Sequence, residues 1–125
     1  MSERVLVDTS SWVEWSRAKG DEQVRDRVNQ LIDNKLALTC PMVRLELWSG
    51  VRGDAEKKKL RDMENRAPDL DVTSEIWEDA CELALTARSK GVTIPASDLV
   101  IFCCARHYEY EIEACDKHFD LLAKL

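Results

Sequence analysis

The sequence has no apolar run long enough to cross a bilayer, no CxxC spacing, no surplus of basic residues and no internal repeat or low-complexity segment. Each absence narrows the field. Without a long apolar run, no membrane-spanning helix is expected. The opening MSERVLVD lacks signal-peptide character, so a cytoplasmic protein with no membrane partner is expected. The five cysteines (Cys40, Cys81, Cys103, Cys104 and Cys115) are odd in number and have no metal-ligand spacing. Neither a disulfide framework nor a zinc site is indicated, and reduced thiols fit better, with Cys103 and Cys104 as core residues. With 18 Lys and Arg against 24 Asp and Glu, the net charge is −6, which argues against a nucleic-acid binder held by a broad basic face. The same count leaves open an enzyme that gathers carboxylates around a metal ion.

What is present reads as one globular domain over residues 1–125, with 45% apolar residues and enough chain for a single core. Val5 to Val7 form a first strand, and Ser11 to about Arg17 a short helix. Val24, Val28, Leu31 and Ile32 recur at helical spacing and predict a second helix from about Asp21 to Asn34. Leu36 to Thr39 is a second short strand. Pro41 suits the first turn of the next helix, which Gly50 and Gly53 end. A charged helix over Ala55 to Arg66, a short strand over Leu70 to Val72 and an amphipathic helix over Ser74 to Lys90 follow. Leu99 to Ala105 has no polar side chain, so the helix opened by Pro95-Ala96-Ser97-Asp98 should be buried on most sides. A late strand, Ile112 to Cys115, ends at Asp116. Alternating strands and helices predict an α/β fold with a mainly parallel central sheet and helices on both faces.

Four acids occupy unusual places. In VLVDTSSW, Asp8 stands where the first strand gives out. It either caps the next helix or serves a site, and Ser11-Trp12-Val13-Glu14 fits a capping box that would release it from capping. Asp116 repeats the pattern after the last strand. Asp98 falls in the first turn of the buried helix, where a carboxylate also suits the helix dipole. Glu46, in PMVRLELWSG, reads in isolation as an exposed glutamate. Two strand ends and two helix starts can converge on one edge of a parallel sheet, which is where open α/β sheets bind ligands. Four carboxylates there repel one another unless cations compensate, and oxygen ligands suit Mg²⁺ or Mn²⁺.

The stretches VLVDTSSWVEW, RLELWSG, GVTIPASDLVIFCCA and CDKHFDLLA resemble, in order and interval, the successive motifs of PIN-domain proteins. More narrowly they resemble the VapC-type toxins of bacterial toxin–antitoxin pairs, over residues 4 to about 123. The resemblance implies a Mg²⁺- or Mn²⁺-dependent endoribonuclease acting on an RNA substrate. It also implies a homodimer, inhibited by a cognate VapB-type antitoxin. Carried over by motif, the catalytic acids are Asp8, Glu46, Asp98 and Asp116, with Asp8, Asp98 and Asp116 as metal ligands. Thr9 or Ser10 supports the first carboxylate or a water near it.

His118 stands where that family often has another acid, so a fifth carboxylate ligand is not expected, and Asp120 is assigned no metal. His118 reads as a structural hydrogen-bond partner or a phosphate contact, and His107 as a half-exposed helix-end residue. Trp12, Trp15, Trp48 and Trp77 read as core or interface residues. Among them, Trp12 and Trp15, with Val24, are expected to line an exposed groove that takes an amphipathic antitoxin helix. Two other readings stay open. A non-catalytic PIN-like module would bind RNA or a partner without cutting. A haloacid-dehalogenase-type phosphatase also begins with an aspartate after its first strand, but would want a second aspartate where this chain has Ser10.

Overall fold

The computed structural model describes residues 3–125. Three short stretches form the sheet: β1 (Val5–Val7), β2 (Ala37–Leu38) and β3 (Glu111–Glu113), all parallel, in the order β2-β1-β3. Leu6 pairs with Leu38 on one side and with Ile112 on the other. Successive side chains of a strand point to opposite faces. Leu6 and Val7 are both fully buried, so both faces of β1 are covered.

Parallel strands need crossovers, and helices supply them. Helices α1 (Thr9–Ser16) and α2 (Glu22–Asp33) link β1 to β2. Helices α3 (Pro41–Ser49), α4 (Asp54–Arg66), α5 (Ser74–Ser89) and α6 (Ala96–Tyr108) lead on to β3, and α7 (His118–Ala123) follows it. This is the α/β arrangement with a parallel sheet that the alternation of patterns predicts. Helix α6 is the buried one, with Leu99, Val100, Ile101, Cys103, Cys104 and Ala105 all in the core.

Four local expectations are corrected. The capping box is present in letters and unused. Helix α1 starts at Thr9 with Asp8 as its N-cap, while the fully buried Ser11 donates its hydroxyl to Glu113 Oε2 at 2.8 Å. Glu14 instead accepts the Asp21 amide at 3.0 Å, so both side chains of the box are taken by more distant partners.

The strand expected over Leu70 to Val72 shrinks to one bridge between Thr39 and Asp69. Beyond it the Asp71 carbonyl accepts the Tyr108 hydroxyl at 2.6 Å and so extends no ladder. The last strand ends at Glu113, not Cys115, because the Cys115 amide turns to the Ser10 hydroxyl at 3.0 Å.

Trp12, Trp15 and Val24 line no exposed groove, because α1 and α2 pack together through these side chains. They are 0%, 3% and 8% exposed. The two indoles meet edge to face at 5.3 Å, and Trp15 Nε1 donates to Asn29 on α2 at 2.8 Å. Trp77, read as a core or interface residue, is 46% exposed and lies outside the core. Gly20 allows the turn between these helices to close, since a Cβ there would stand 1.8 Å from the Glu14 carbonyl oxygen.

Candidate functional site

Asp8 follows β1 directly. Its Oδ2 accepts the Ser10 amide at 3.1 Å and the Ser10 hydroxyl at 2.6 Å. That hydroxyl also accepts the Cys115 amide, so Ser10 ties the end of β1 to the segment that carries Asp116. The Asp8 amide donates to the Glu113 carbonyl at 2.8 Å, which holds the two strand ends side by side. Ser10 stands where a haloacid-dehalogenase site would carry its second aspartate, and it is committed to these two bonds.

Glu46 is not a free surface residue. Its Oε1 accepts the Thr9 hydroxyl at 2.7 Å and its Oε2 accepts the Ser97 hydroxyl at 3.0 Å, so α3 is pinned to the starts of α1 and α6. Asp98, in the first turn of α6, is only 7% exposed. His118 Nδ1 lies 2.5 Å from Asp98 Oδ2, and the His118 amide donates to Asp116 Oδ1 at 3.1 Å. One ligand atom from each of Asp98, Asp116 and His118 lies within 4.8 Å of the other two.

The structure therefore brings Asp8, Glu46, Asp98 and Asp116 to one edge of the sheet, with Thr9 and Ser10 bonded to the first two. Asp120 is apart: it is exposed on α7 and lines a different groove with Phe102 and Arg106. His107 is exposed and stacks edge-on against Tyr108. Ser97 escaped the motif reading, and so did the partner, though not the role, of His118. Ser97 looked like an ordinary helix-start residue, and its adjacency to Asp98 was its only signal. The pairing of His118 with Asp98 joins residues 20 apart and leaves no local trace.

The electrostatics follow from crowding. Burial, opposed by the Ser10 bonds and aided by the charges of Asp116 and Asp98, raises the Asp8 pKa to about 6. Burial likewise raises that of Asp98, against its bond to His118 and with help from Asp116 and Glu46. His118 is raised chiefly by its bond to Asp98.

Asp8 Oδ1 is buried and has no hydrogen-bond donor, which is costly for a carboxylate oxygen. Among the described residues no Lys or Arg pairs with any of the four acids, and His118 is the one basic side chain that does. An orphaned carboxylate oxygen amid mutually repelling oxygen donors is the set that a hard divalent cation fits.

The sequence pattern of the PIN domain matches residues 5–125. The chain belongs to the PIN domain family. It is 30% identical to VapC ribonuclease Mb1587 of Mycobacterium bovis and, equally, to ribonuclease VapC11 of Mycobacterium tuberculosis. Each match covers 97% of this chain and 92% of the relative. In fold, this PIN domain is similar to the VapBC2 crystal structure from Rickettsia felis, solved with a DNA fragment from the promoter. The TM-score is 0.80 at 20% identity, over 97% of this chain and 94% of that one. VapC20 of Mycobacterium tuberculosis, described as a sarcin–ricin loop cleaving toxin, follows at TM-score 0.73 and 21% identity. That match covers 94% of this chain and 93% of the other. Nucleases of the PIN family are metal-dependent, and the acidic cluster has the donors such an ion needs.

Proposed function

We propose that this PIN domain is an endoribonuclease, the toxin of a VapBC-type toxin–antitoxin pair, working as a single domain with Mg²⁺ or Mn²⁺. One observation carries the reading: a buried, unpartnered carboxylate oxygen on Asp8 in the company of Glu46, Asp98 and Asp116. The VapC ribonucleases that match over nearly the whole chain support it.

Asp8, Asp98 and Asp116 are the residues that would hold the metal. When bound, such an ion eases deprotonation of a water at neutral pH and offsets charge on the phosphate. Glu46, fixed from both sides by Thr9 and Ser97, orients the attacking water or completes the ligand set. Ser10 holds the Asp8 carboxylate, and His118 holds that of Asp98. Hydrolysis in this arrangement leaves a 5′-phosphate and a 3′-hydroxyl on the RNA.

The inhibiting partner is a cognate VapB-type antitoxin with a segment across the site. An Arg or Lys inserted among the carboxylates would replace the metal's charge and compete with it. The protein acts in the cytoplasm as a homodimer.

Purified protein incubated with RNA and Mn²⁺ or Mg²⁺, with an EDTA control, tests the reaction. Metal-dependent cleavage with 5′-phosphate ends supports it. Full cleavage in EDTA, or ends carrying a 2′,3′-cyclic phosphate, overturns it, because the RNA's own 2′-hydroxyl would then be the nucleophile. For the partner, excess Mg²⁺ should weaken antitoxin binding. Unchanged affinity alongside intact inhibition would overturn direct competition.

A further inference from the structure

Two cavities adjoin at Ser16, Arg17, Arg52 and Glu56, and Glu46 lines the first. The first, about 360 Å³, lies between α1, α3 and α4 over an apolar floor of Val13, Leu47 and Leu60. The second, about 500 Å³, shares Ser16, Arg17, Arg52 and Glu56 with it and runs on to Arg25 and Lys59. Together they make one groove with Glu46 on the wall of its first part. We propose that this groove carries the RNA strand on one side of the cut phosphate, with Arg17, Arg25 and Arg52 holding its backbone phosphates. The proposal rests on the ribonuclease reading above and adds the substrate's path.

The charges of the groove carry it. Arg27, Arg44 and Arg66, elsewhere on the surface, are each neutralised by a carboxylate at 2.9 to 3.1 Å. The groove arginines, like Arg61, Arg88 and Arg106 elsewhere among the described residues, are not. Among the described residues, Arg25 and Arg52 make no ion pair, and Arg17 has only Glu14 at 3.6 Å. Arg25 donates through Nη2 to the Arg17 carbonyl at 2.6 Å, while its Nε is shielded from solvent and has no acceptor.

Glu56, the acid shared by both cavities, is occupied by the Arg52 amide at 3.0 Å. Lys59 is held over the Trp15 ring at 4.7 Å. The chain as a whole carries −6, so a polyanion is repelled from most of its surface. A groove with unneutralised arginines and Glu46 on its wall is the favourable approach, and its apolar floor offers surface to ribose and base.

Phosphate contacts do not depend on sequence, so a fluorescein-labelled, mixed-sequence single-stranded RNA of about 12 nucleotides serves as probe. It is titrated against the full chain carrying D98N, which leaves the probe uncut. Adding R17A/R52A should weaken binding about tenfold near 0.1 M salt. It should also lower the slope of log K against log salt by about 1.4, at about 0.7 per lost contact. R17K/R52K keeps both charges and should restore most of the affinity, which a merely structural loss would not permit. In the otherwise native protein, R17A/R52A should raise KM with kcat nearly unchanged.

An unchanged Kd and salt slope would overturn the groove assignment while native cleavage keeps the ribonuclease reading. A loss of affinity confined to a protein partner would overturn it in the same way. Absence of any metal-dependent RNA cleavage by the native protein would instead remove the reading beneath it.

Discussion

Asp8 divides its two oxygens between two tasks. One is spent on Ser10 and the cap of α1, and the other is buried with no donor. Asn at this position would still cap the helix but would remove the buried charge. D8N should therefore abolish cleavage and weaken metal binding, and should leave folding intact with metal-free stability unchanged or higher. Activity assays, metal titration and thermal melts in EDTA check the three parts.

The same carboxyl predicts a pH dependence. Its folded-state pKa of about 6 stands above the ordinary 3.8, so the fold binds the proton more tightly than the unfolded chain does. Stability is then greatest where Asp8 is protonated and is lost as pH rises from about 4 through 6. The rise corresponds to about 3 kcal/mol. His118, raised above 6.5, has the same sign: its contribution is present below that value and fades as pH climbs through the folded pKa. Melts in EDTA should show a lower Tm at pH 8 than at pH 5.5, and D8N should flatten the difference. An equal or higher Tm at pH 8 would contradict this assignment.

At the scale of elements, the site depends on where helices begin. Thr9 at the start of α1 and Ser97 at the start of α6 clamp Glu46 on α3 from two sides, so three helices are tied by one carboxylate. E46Q keeps an acceptor for one hydroxyl and should fold with a Tm close to native, while cleavage falls at least tenfold. Loss of folding in E46Q would mean that the clamp is structural before it is catalytic. The turn between α1 and α2 depends on Gly20. A methyl there collides with the Glu14 backbone, which no side-chain rotation relieves, so G20A should destabilise by about 1–3 kcal/mol. Denaturant melts measure it.

For the whole molecule, metal and stability are linked. A cation that binds the folded carboxylates and ignores the unfolded chain stabilises by RT ln(1 + [L]/Kd), about 2.7 kcal/mol at a hundredfold excess over Kd. Tm should rise with Mn²⁺ or Mg²⁺ concentration in the native protein and much less in D8N. A Tm indifferent to either ion at millimolar concentration would count against a metal centre at these residues. Sedimentation at micromolar concentration, without antitoxin, checks the homodimer; a monomer would refute it.

Local pattern alone determined the helices from α1 to α6, the parallel sheet and the burial of α6, but it gave no sign of α7 and read a strand over Leu70 to Val72 where one bridge stands. These rest on periodicity and on turn and cap residues, which act over a few residues at a time, and on the alternation of strands with helices. It also marked Asp8 and Asp116, each closing an apolar run, and Asp98, which opens one, because an acid at such a boundary stands out without any partner. Only the tertiary structure decided what those residues touch. Ser11 and Glu14 read as a capping box, yet Glu113 and Asp21 compete for the same side chains and win. Trp12, Trp15 and Val24 are apolar whether they face solvent or a neighbouring helix, and the packing of α1 on α2 chose the core. Glu46 became a clamp, and His118 a partner of Asp98, through contacts between distant parts of the chain. Periodicity reports which face of an element is apolar; the partner that meets that face is set by the fold.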